Sequence, residues 1–318
     1  MNTLSVKPLL ALMRRELLES PVAFKWTPLA IGGFIVFLAI FTLIIGARFD
    51  ADMAFTSDAL RIFSEQSYDE RRLAVTGALF AISTLFFQLM LLIILFYLAG
   101  CLYDDRRDRS ILFWKSLPVS DSMTVASKVL TACVLIPAMF MAAIILTQLA
   151  LLLIASVYAM MAGINPLTAL WLPASLPKLW TVMALGLLIQ ALWLLPVYGW
   201  LTFCSSWAPR LPILIAIGIP AAIALIQHSW TLATSFTLPV NNVGLIILKR
   251  LGSGVLPGNI NIQLDGDSFN DMEFGEDLYM SFSTLGEQLL KSELWFGLLI
   301  ALVFLTGAVW FRRRATDN

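Results

Sequence analysis

The sequence predicts an all-α integral membrane protein with six transmembrane helices. Hydrophobic residues make up 59% of the chain and charged residues only 13%, whereas soluble domains contain about 25% charged residues. The mean hydropathy is +0.84, which a water-soluble fold of this length has no means of hiding. The apolar residues also fall into runs of roughly 20, the length that a helix needs to cross a hydrocarbon core about 30 Å thick.

Six apolar runs have this length, and none contains Asp, Glu, Lys or Arg well inside it. They cover residues 26–47, 76–102, 130–157, 180–204, 211–230 and 294–311. The first run is longer than the apolar part of a cleaved signal, which has about 7–15 residues. We therefore interpret it as a membrane span, and residues 1–318 as a single transmembrane domain.

The Lys and Arg residues predict which way the spans face, because cytoplasmic loops carry an excess of these residues. With a cytoplasmic N-terminus, 13 of the 21 Lys and Arg residues lie inside and 14 of the 21 acidic residues lie outside. We predict a multi-pass protein of a cell membrane, such as the bacterial inner membrane, with both termini cytoplasmic. The large loops 48–75 and 231–293 then lie outside.

Residues 8–19, before the first span, have the spacing of an amphipathic helix. The side chains of Leu9, Leu10, Met13 and Leu17 fall on one side, and those of Arg14 and Arg15 lie away from them. This pattern predicts a helix lying in the cytoplasmic interface. The alternative is a simple extension of the first span, but Pro21 and Pro28 favour a break.

The loop between the second and third spans is the most charged part of the chain. Residues 104–128 hold nine of the 42 charged residues. Asp105 and Arg109 lie one helical turn apart and are able to pair, which fits a short helix over 104–117. Pro118 ends this helix, and Ser120 is predicted to cap the helix of the third span.

This short helix also carries apolar bulk at Phe113 and Trp114, which favours a contact surface. The alternative is a solvated loop whose charges only set the topology. The next inside loop, residues 205–210, is very short. Its Trp207 is either an interface anchor or a second contact.

The outer loop 231–293 is too long for a passive turn. It predicts a short, part-buried helix over 243–251 and a strand over 258–264. The acidic stretch 265–277 is interpreted as a solvated surface, since Phe269 and Asn270 stand where an EF-hand needs an oxygen ligand and a glycine. No metal site is predicted.

The spans contain three amides near mid-depth, Gln88, Gln148 and Gln190. An amide in hydrocarbon needs a hydrogen-bond partner, so these side chains either join helices or contact a transported molecule. Three prolines also interrupt spans three to five, at Pro137, Pro196 and Pro220, as in helices that bend or line a route.

Several kinds of chemistry are absent from the sequence. It has no Walker A motif for binding nucleotide phosphates. Its single histidine, His228, excludes histidine clusters for acid–base or zinc chemistry. We predict no catalytic residues, no cofactor held by this chain and no nucleic-acid partner.

The charged loop resembles the coupling segment of permease subunits in the type-two ATP-binding-cassette exporter family. The run from Asp105 to Asp108 matches that family's acidic–basic run, and Ser110 stands where Thr is usual. Residues 111–117 match its apolar helix, and residues 118–120, Pro-Val-Ser, match its turn. Arg109 replaces the usual Gly, and Asp105 replaces the usual Glu.

This resemblance implies two paired six-span subunits and two separate ATPase subunits, which hold ATP and Mg²⁺ and dock on the inner loops. The implied docking residues are Asp105, Arg106, Arg109, Ser110, Leu112, Phe113, Trp114, Leu117 and Pro118, with Trp207 and Arg210 on the second inner loop. The three glutamines would line the path between the paired subunits.

The sequence leaves three alternatives open. The chain could be an ion-coupled carrier, which predicts buried charges that the spans lack. It could relay ATP hydrolysis to an extracytoplasmic partner through residues 231–293 without transporting anything. A membrane enzyme is a further alternative, for which the sequence offers no convergent polar set.

Overall fold

The computed structural model describes residues 6–46, 61–108, 119–233, 243–253 and 282–315. All regular secondary structure in these ranges is helical, and six helical segments are long and apolar enough to cross a membrane. Spans 1 to 6 are Val22–Thr42, Tyr68–Arg107, Asp121–Met161, Leu167–Trp207, Pro212–Trp230 and Ser292–Arg314. The predicted all-α class and the six membrane-length helices are thus confirmed for the described residues.

The helices are numbered here in chain order. They are α1 Val6–Glu19, α2 Thr27–Gly46, α3 Tyr68–Gly100, α4 Tyr103–Arg107, α5 Asp121–Leu130, α6 Ile136–Met161, α7 Leu172–Ala174, α8 Leu176–Trp207, α9 Pro212–Ala233, α10 Val243–Ser253, α11 Phe282–Leu290 and α12 Ser292–Arg314.

Three π-helical turns, Val22–Trp26, Thr131–Leu135 and Leu167–Trp171, precede α2, α6 and α7. Each of those helices has a proline at its second position. Proline donates no backbone hydrogen bond, and a π turn is one way to fit the resulting gap inside a helical run. Spans 3 and 4 are therefore long, interrupted helices.

Spans 2, 3 and 4 form the centre of the bundle. In the most apolar 18-residue stretch of each of these spans, 44 to 56% of the residues are buried, compared with 6 to 22% in spans 1, 5 and 6. The largest fully buried side chains come from these three spans and from the turn before α2, and they include Phe24, Phe86, Phe87, Phe140 and Tyr198. Span 6 packs on span 4, where the Cβ position of Gly199 lies 3.2 Å from the Ala301 carbonyl oxygen.

The predicted N-terminal helix is present as α1, which ends at Glu19 before a one-residue bend at Ser20. Three of the four residues on its predicted apolar side, Leu9, Met13 and Leu17, are half-buried, whereas Leu10 is 58% exposed. The most buried side chains of the helix are Leu12 and Glu16. The apolar spacing did not predict Glu16 because it is charged.

Two other local predictions are confirmed. Helix α5 begins at Asp121, and the Ser120 hydroxyl accepts a hydrogen bond from the Met123 amide at 3.2 Å. Helix α10 is part-buried and covers the predicted range 243–251. The strand predicted over 258–264 and the acidic stretch 265–277 lie outside the described residues.

Candidate functional site

Six charged side chains from four helical segments meet at one end of the bundle. We call them the ion cluster: Arg15 and Glu16 of α1, Asp105 of α4, Asp121 and Lys128 of α5, and Arg312 of α12. Three positive and three negative groups balance one another. The cluster joins the N-terminal helix to the adjoining ends of spans 2, 3 and 6.

Asp105 lies at the centre of the ion cluster. Its Oδ2 atom is 3.0 Å from Arg312 Nη1 and 3.7 Å from Lys128 Nζ. Its Oδ1 atom is 3.6 Å from Arg15 Nη2. Removing this one carboxylate would leave three cations without a shared partner.

Two further pairs surround this centre. Lys128 Nζ donates to Glu16 Oε1 at 3.1 Å, and the Tyr97 hydroxyl donates to Glu16 Oε2 at 2.7 Å. Arg312 Nε lies 3.4 Å from Asp121 Oδ1, an ion pair without hydrogen-bond geometry.

Four of the six side chains of the ion cluster are buried. Glu16, Asp105, Lys128 and Arg312 are 4, 6, 2 and 3% exposed. Taking charges out of water is costly unless each meets a partner of opposite charge. The four helical segments are therefore held in one arrangement, because separating any of them would leave a charge buried alone.

The short helix α4 is fixed separately to the end of span 4. The Ser205 hydroxyl accepts hydrogen bonds from the Leu102 and Tyr103 amides, both at 3.0 Å. Arg106 Nη2 donates to the carbonyls of Ser205 at 2.8 Å and Ala208 at 2.9 Å. These bonds cap the C-terminal end of α8, whose last carbonyls have no partner within the helix.

The sequence predicts Asp105 and Arg106 at a docking surface. In the structure the Asp105 carboxylate faces the interior, and the Arg106 guanidinium binds the backbone of its own chain. Both residues position the start of the charged segment. The local pattern missed this because their partners lie about 100 or 200 residues away.

The remaining predicted docking residues divide into two groups. Arg210 is exposed in the turn between α8 and α9, and Trp207 is half-buried with its ring 6.5 Å from that of Phe203. The others lie outside the described residues: Arg109, Ser110, Leu112, Phe113, Trp114, Leu117 and Pro118.

The three glutamines do not face one common space. Gln148 is fully buried, donates to the Leu79 carbonyl at 3.1 Å and to Ser83 Oγ at 2.9 Å, and accepts from Trp180 Nε1 at 2.7 Å. Its amide therefore ties spans 2, 3 and 4 together. Gln190 is also buried, whereas Gln88 lies on the exposed face of α3.

A cavity of about 290 Å³ adjoins the ion cluster between α1 and α3. Its polar lining includes Glu16, Tyr97, Asp104 and Lys128, and its apolar lining includes Phe24 and Phe96. The charged groups around it already have partners within the chain. The cavity therefore lies beside the ion cluster and α1, and its lining presents no charged group without a partner.

The sequence pattern does not mark Glu16, Lys128 and Arg312 as a site, and their charges predict only the topology. One signal was available. Glu16 follows Leu12 at helical spacing on the face of α1 that packs inward, and Lys128 is a lone charge at the entrance of an apolar run. Both charges interrupt an apolar pattern, and such an interruption is a sequence signal of a buried charge.

A second polar junction lies around Arg250 of α10. Arg250 Nε donates to the Trp193 carbonyl at 2.8 Å, both terminal nitrogens approach the Glu293 carbonyl at 3.4 Å, and the guanidinium lies 4.6 Å from the Trp193 ring centroid. Burial lowers the pKa of Arg250, while the Glu293 charge opposes this. The junction ties α10 to spans 4 and 6.

Among the described residues no group of three or more His, Cys, Asp and Glu side chains is placed to hold a metal ion. Comparison of the chain with protein-family models, curated proteins and solved structures found no match. The ion cluster thus joins α1, α4, α5 and α12 through paired charges at one end of the bundle.

Proposed function

We propose that this protein is the membrane-spanning subunit of an ATP-driven exporter. Two ATPase subunits would bind on the cytoplasmic side, on the segment 104–117 and beside Arg210. The observation that carries this proposal is the ion cluster. It joins the start of the segment that resembles a coupling helix to α1 and to spans 3 and 6.

The contacts on either side of that segment support the proposal. Before it, α4 is bonded to the end of span 4 through Arg106 and Ser205. After it, Ser120 caps the helix of span 3. A force on residues 109–118 would thus be applied directly to two spans of the central bundle.

The ion cluster supplies the stiffness that such a joint needs. Breaking a buried ion pair by removing one partner costs about 3–5 kcal/mol. The helix ends that share Asp105 would therefore move together rather than separate. Interfaces of this kind switch between discrete arrangements rather than deforming continuously.

In this proposal the chain performs no bond chemistry. ATP and Mg²⁺ bind to the partner ATPases, whose closed and open states bind the segment 104–117 with different affinity. That difference in affinity supplies the energy for moving the spans. A second copy or a homologue completes the transport path, and both termini face the cytoplasm of the cell, as in the bacterial inner membrane.

The location of buried charge favours this proposal over an ion-coupled carrier. Among the described residues, the buried charged side chains are Glu16, Asp105, Lys128 and Arg312, all within the ion cluster at one end of the bundle. Ion- and proton-coupled carriers use ionisable groups along a route through the membrane. The described spans offer none at mid-depth.

The proposal is tested by isolating the chain from native membranes in mild detergent and measuring bound nucleotide hydrolysis. The informative variant is Leu112→Ala with Trp114→Ala, because Asp105 and Arg106 hold the chain's own helices. We expect the wild-type chain to carry an ATPase and the double variant to lose it. Leu10→Ala with Trp26→Ala, two exposed positions outside the segment, is the matched control.

A wild-type chain that is active without any nucleotide-hydrolysing companion would contradict the proposal. So would a double variant that retains the ATPase at the wild-type level. A thermal unfolding curve for each variant separates lost docking from a lost fold.

A further inference from the structure

Helix α3 exposes a single stripe of side chains to its surroundings. Between residues 74 and 100 the exposed positions are Ala74, Ala78, Ala81, Leu85, Gln88, Leu92 and Phe96. Their spacing alternates between four and three residues as far as Leu92. That is the 3.5-residue repeat with which one helix packs along another.

Gln88 lies in the middle of this stripe, near the mid-depth of span 2. Its side chain is exposed, and it forms no hydrogen bond with any described residue. By contrast, both the amide nitrogen and the amide oxygen of Gln148 form hydrogen bonds inside the bundle. Hydrocarbon offers an amide no hydrogen bonds, so an amide facing lipid alone is strongly unfavourable.

A primary amide both donates and accepts hydrogen bonds. Two Gln88 side chains related by a twofold axis can therefore satisfy each other, which is the pairing that a symmetric dimer requires. The small residues Ala74, Ala78 and Ala81 allow two helix backbones to approach closely. Leu85 and Leu92, one turn on either side, would exclude lipid from the amide pair.

We infer that this stripe on α3 is the contact between two copies of the chain, with Gln88 hydrogen-bonded to the partner's Gln88 within the membrane. The inference rests on the pairing of two subunits in the proposed function and specifies the surface that makes it. A single polar position in such a stripe also sets the register, because any axial shift leaves both amides without a partner.

The position of the contact is tested by cysteine cross-linking in native membranes with an oxidant that partitions into the bilayer. Leu85→Cys and Leu92→Cys are made in a chain whose three native cysteines are replaced by alanine. Leu146→Cys is the matched control, because Leu146 is 59% exposed on α6 at a similar depth. We expect cross-linked dimers at residues 85 and 92 and none at residue 146.

The role of the amide is tested by energy transfer between donor- and acceptor-labelled copies in vesicles of phosphatidylcholine and phosphatidylglycerol. We expect Gln88→Leu to weaken association about three- to twentyfold, the effect typical of one interhelical hydrogen bond in a membrane. Gln88→Asn, which keeps the amide, should lie between Gln88→Leu and the wild type. Leu146→Ala should leave association unchanged.

The inference is overturned if cysteines at residues 85 and 146 cross-link equally. It is also overturned if Gln88→Leu associates as strongly as the wild type, which is the result expected if Gln88 contacts only lipid. The inference is also overturned if two copies do not associate and the Gln88→Leu variant instead loses a different membrane protein that the wild-type chain binds. Energy transfer without cross-links at 85 and 92 would mean pairing through another face and would leave the proposed function intact. Absence of any association, with the ATPase still bound, would refute the pairing in both proposals.

Discussion

Asp105 is the residue on which the ion cluster depends most. Its carboxylate is shared by Arg312, Lys128 and Arg15, and it is only 6% exposed. Asp105→Asn keeps the shape but removes the charge. We expect the free energy of unfolding to fall by about 3–5 kcal/mol, measured by thermal or denaturant unfolding in detergent.

The control for this substitution is Asp104→Asn, one residue earlier. The Asp104 side chain is 51% exposed and pairs with Arg107, which is 58% exposed. Exposed ion pairs contribute about 0–1 kcal/mol, so this change should be small. Equal losses from the two variants would show that the ion cluster does not hold the helices together.

Lys128 and Glu16 offer a test of coupling between α1 and span 3. Lys128→Met alone leaves the Glu16 carboxylate buried beside Tyr97, whereas Glu16→Leu alone leaves the Lys128 ammonium with only Asp105, at 3.7 Å. The double variant removes both charges. We expect it to be more stable than the sum of the single losses predicts, by about 0.5–3 kcal/mol. Additive losses would mean that the two helices are not joined by this pair.

At the scale of elements, α10 is attached to the bundle by the Arg250 junction. Gly297 of α12 makes room for it, because a Cβ atom at that position would overlap the Arg250 guanidinium. Gly297→Ala must displace Arg250 from the Trp193 and Glu293 carbonyls. We expect a loss of about 1–3 kcal/mol in the free energy of unfolding, typical of overpacking.

Gly218→Ala is the matched control, since a Cβ there meets nothing within 4 Å. Alanine favours helix over glycine by up to about 1 kcal/mol, so this control should be neutral or stabilising. Limited proteolysis adds a second measurement, with faster cleavage near α10 expected only in Gly297→Ala. A destabilised Gly218→Ala would point to a general intolerance of the helices rather than to the Arg250 junction.

The elements differ in how far the sequence predicts them. The cap at Ser120 and the helix α10 depend on residues within a few positions of one another, and local patterns predict both. The ion cluster joins Glu16 to Lys128 across 112 positions and Asp105 to Arg312 across 207. No local pattern carries such pairings. In the sequence, Lys128 and Arg312 lie at the ends of apolar runs and are interpreted as topology signals, whereas Asp105 is interpreted as a docking residue.

At the scale of the whole molecule, the six membrane-length segments follow from composition and run length alone, because the bilayer imposes a minimum length on every span. How the spans pack is a different matter. The central position of spans 2, 3 and 4 depends on side chains such as Phe86, Phe140 and Tyr198. The amide of Gln148 joins these three spans. From its sequence position alone, Gln148 could either join helices or contact a transported molecule.

The most direct test of the whole account is hydrogen exchange on the complex with its ATPase, with and without a non-hydrolysable ATP analogue. If the ion cluster transmits motion, nucleotide should change amide exchange in Val6–Glu19 and near Arg312, far along the chain from the docking segment. The double variant Glu16→Leu with Lys128→Met should keep the ATPase bound but lose this response in α1. The account would be contradicted if the amide exchange rates in both segments were the same with and without nucleotide although the bound ATPase hydrolyses ATP.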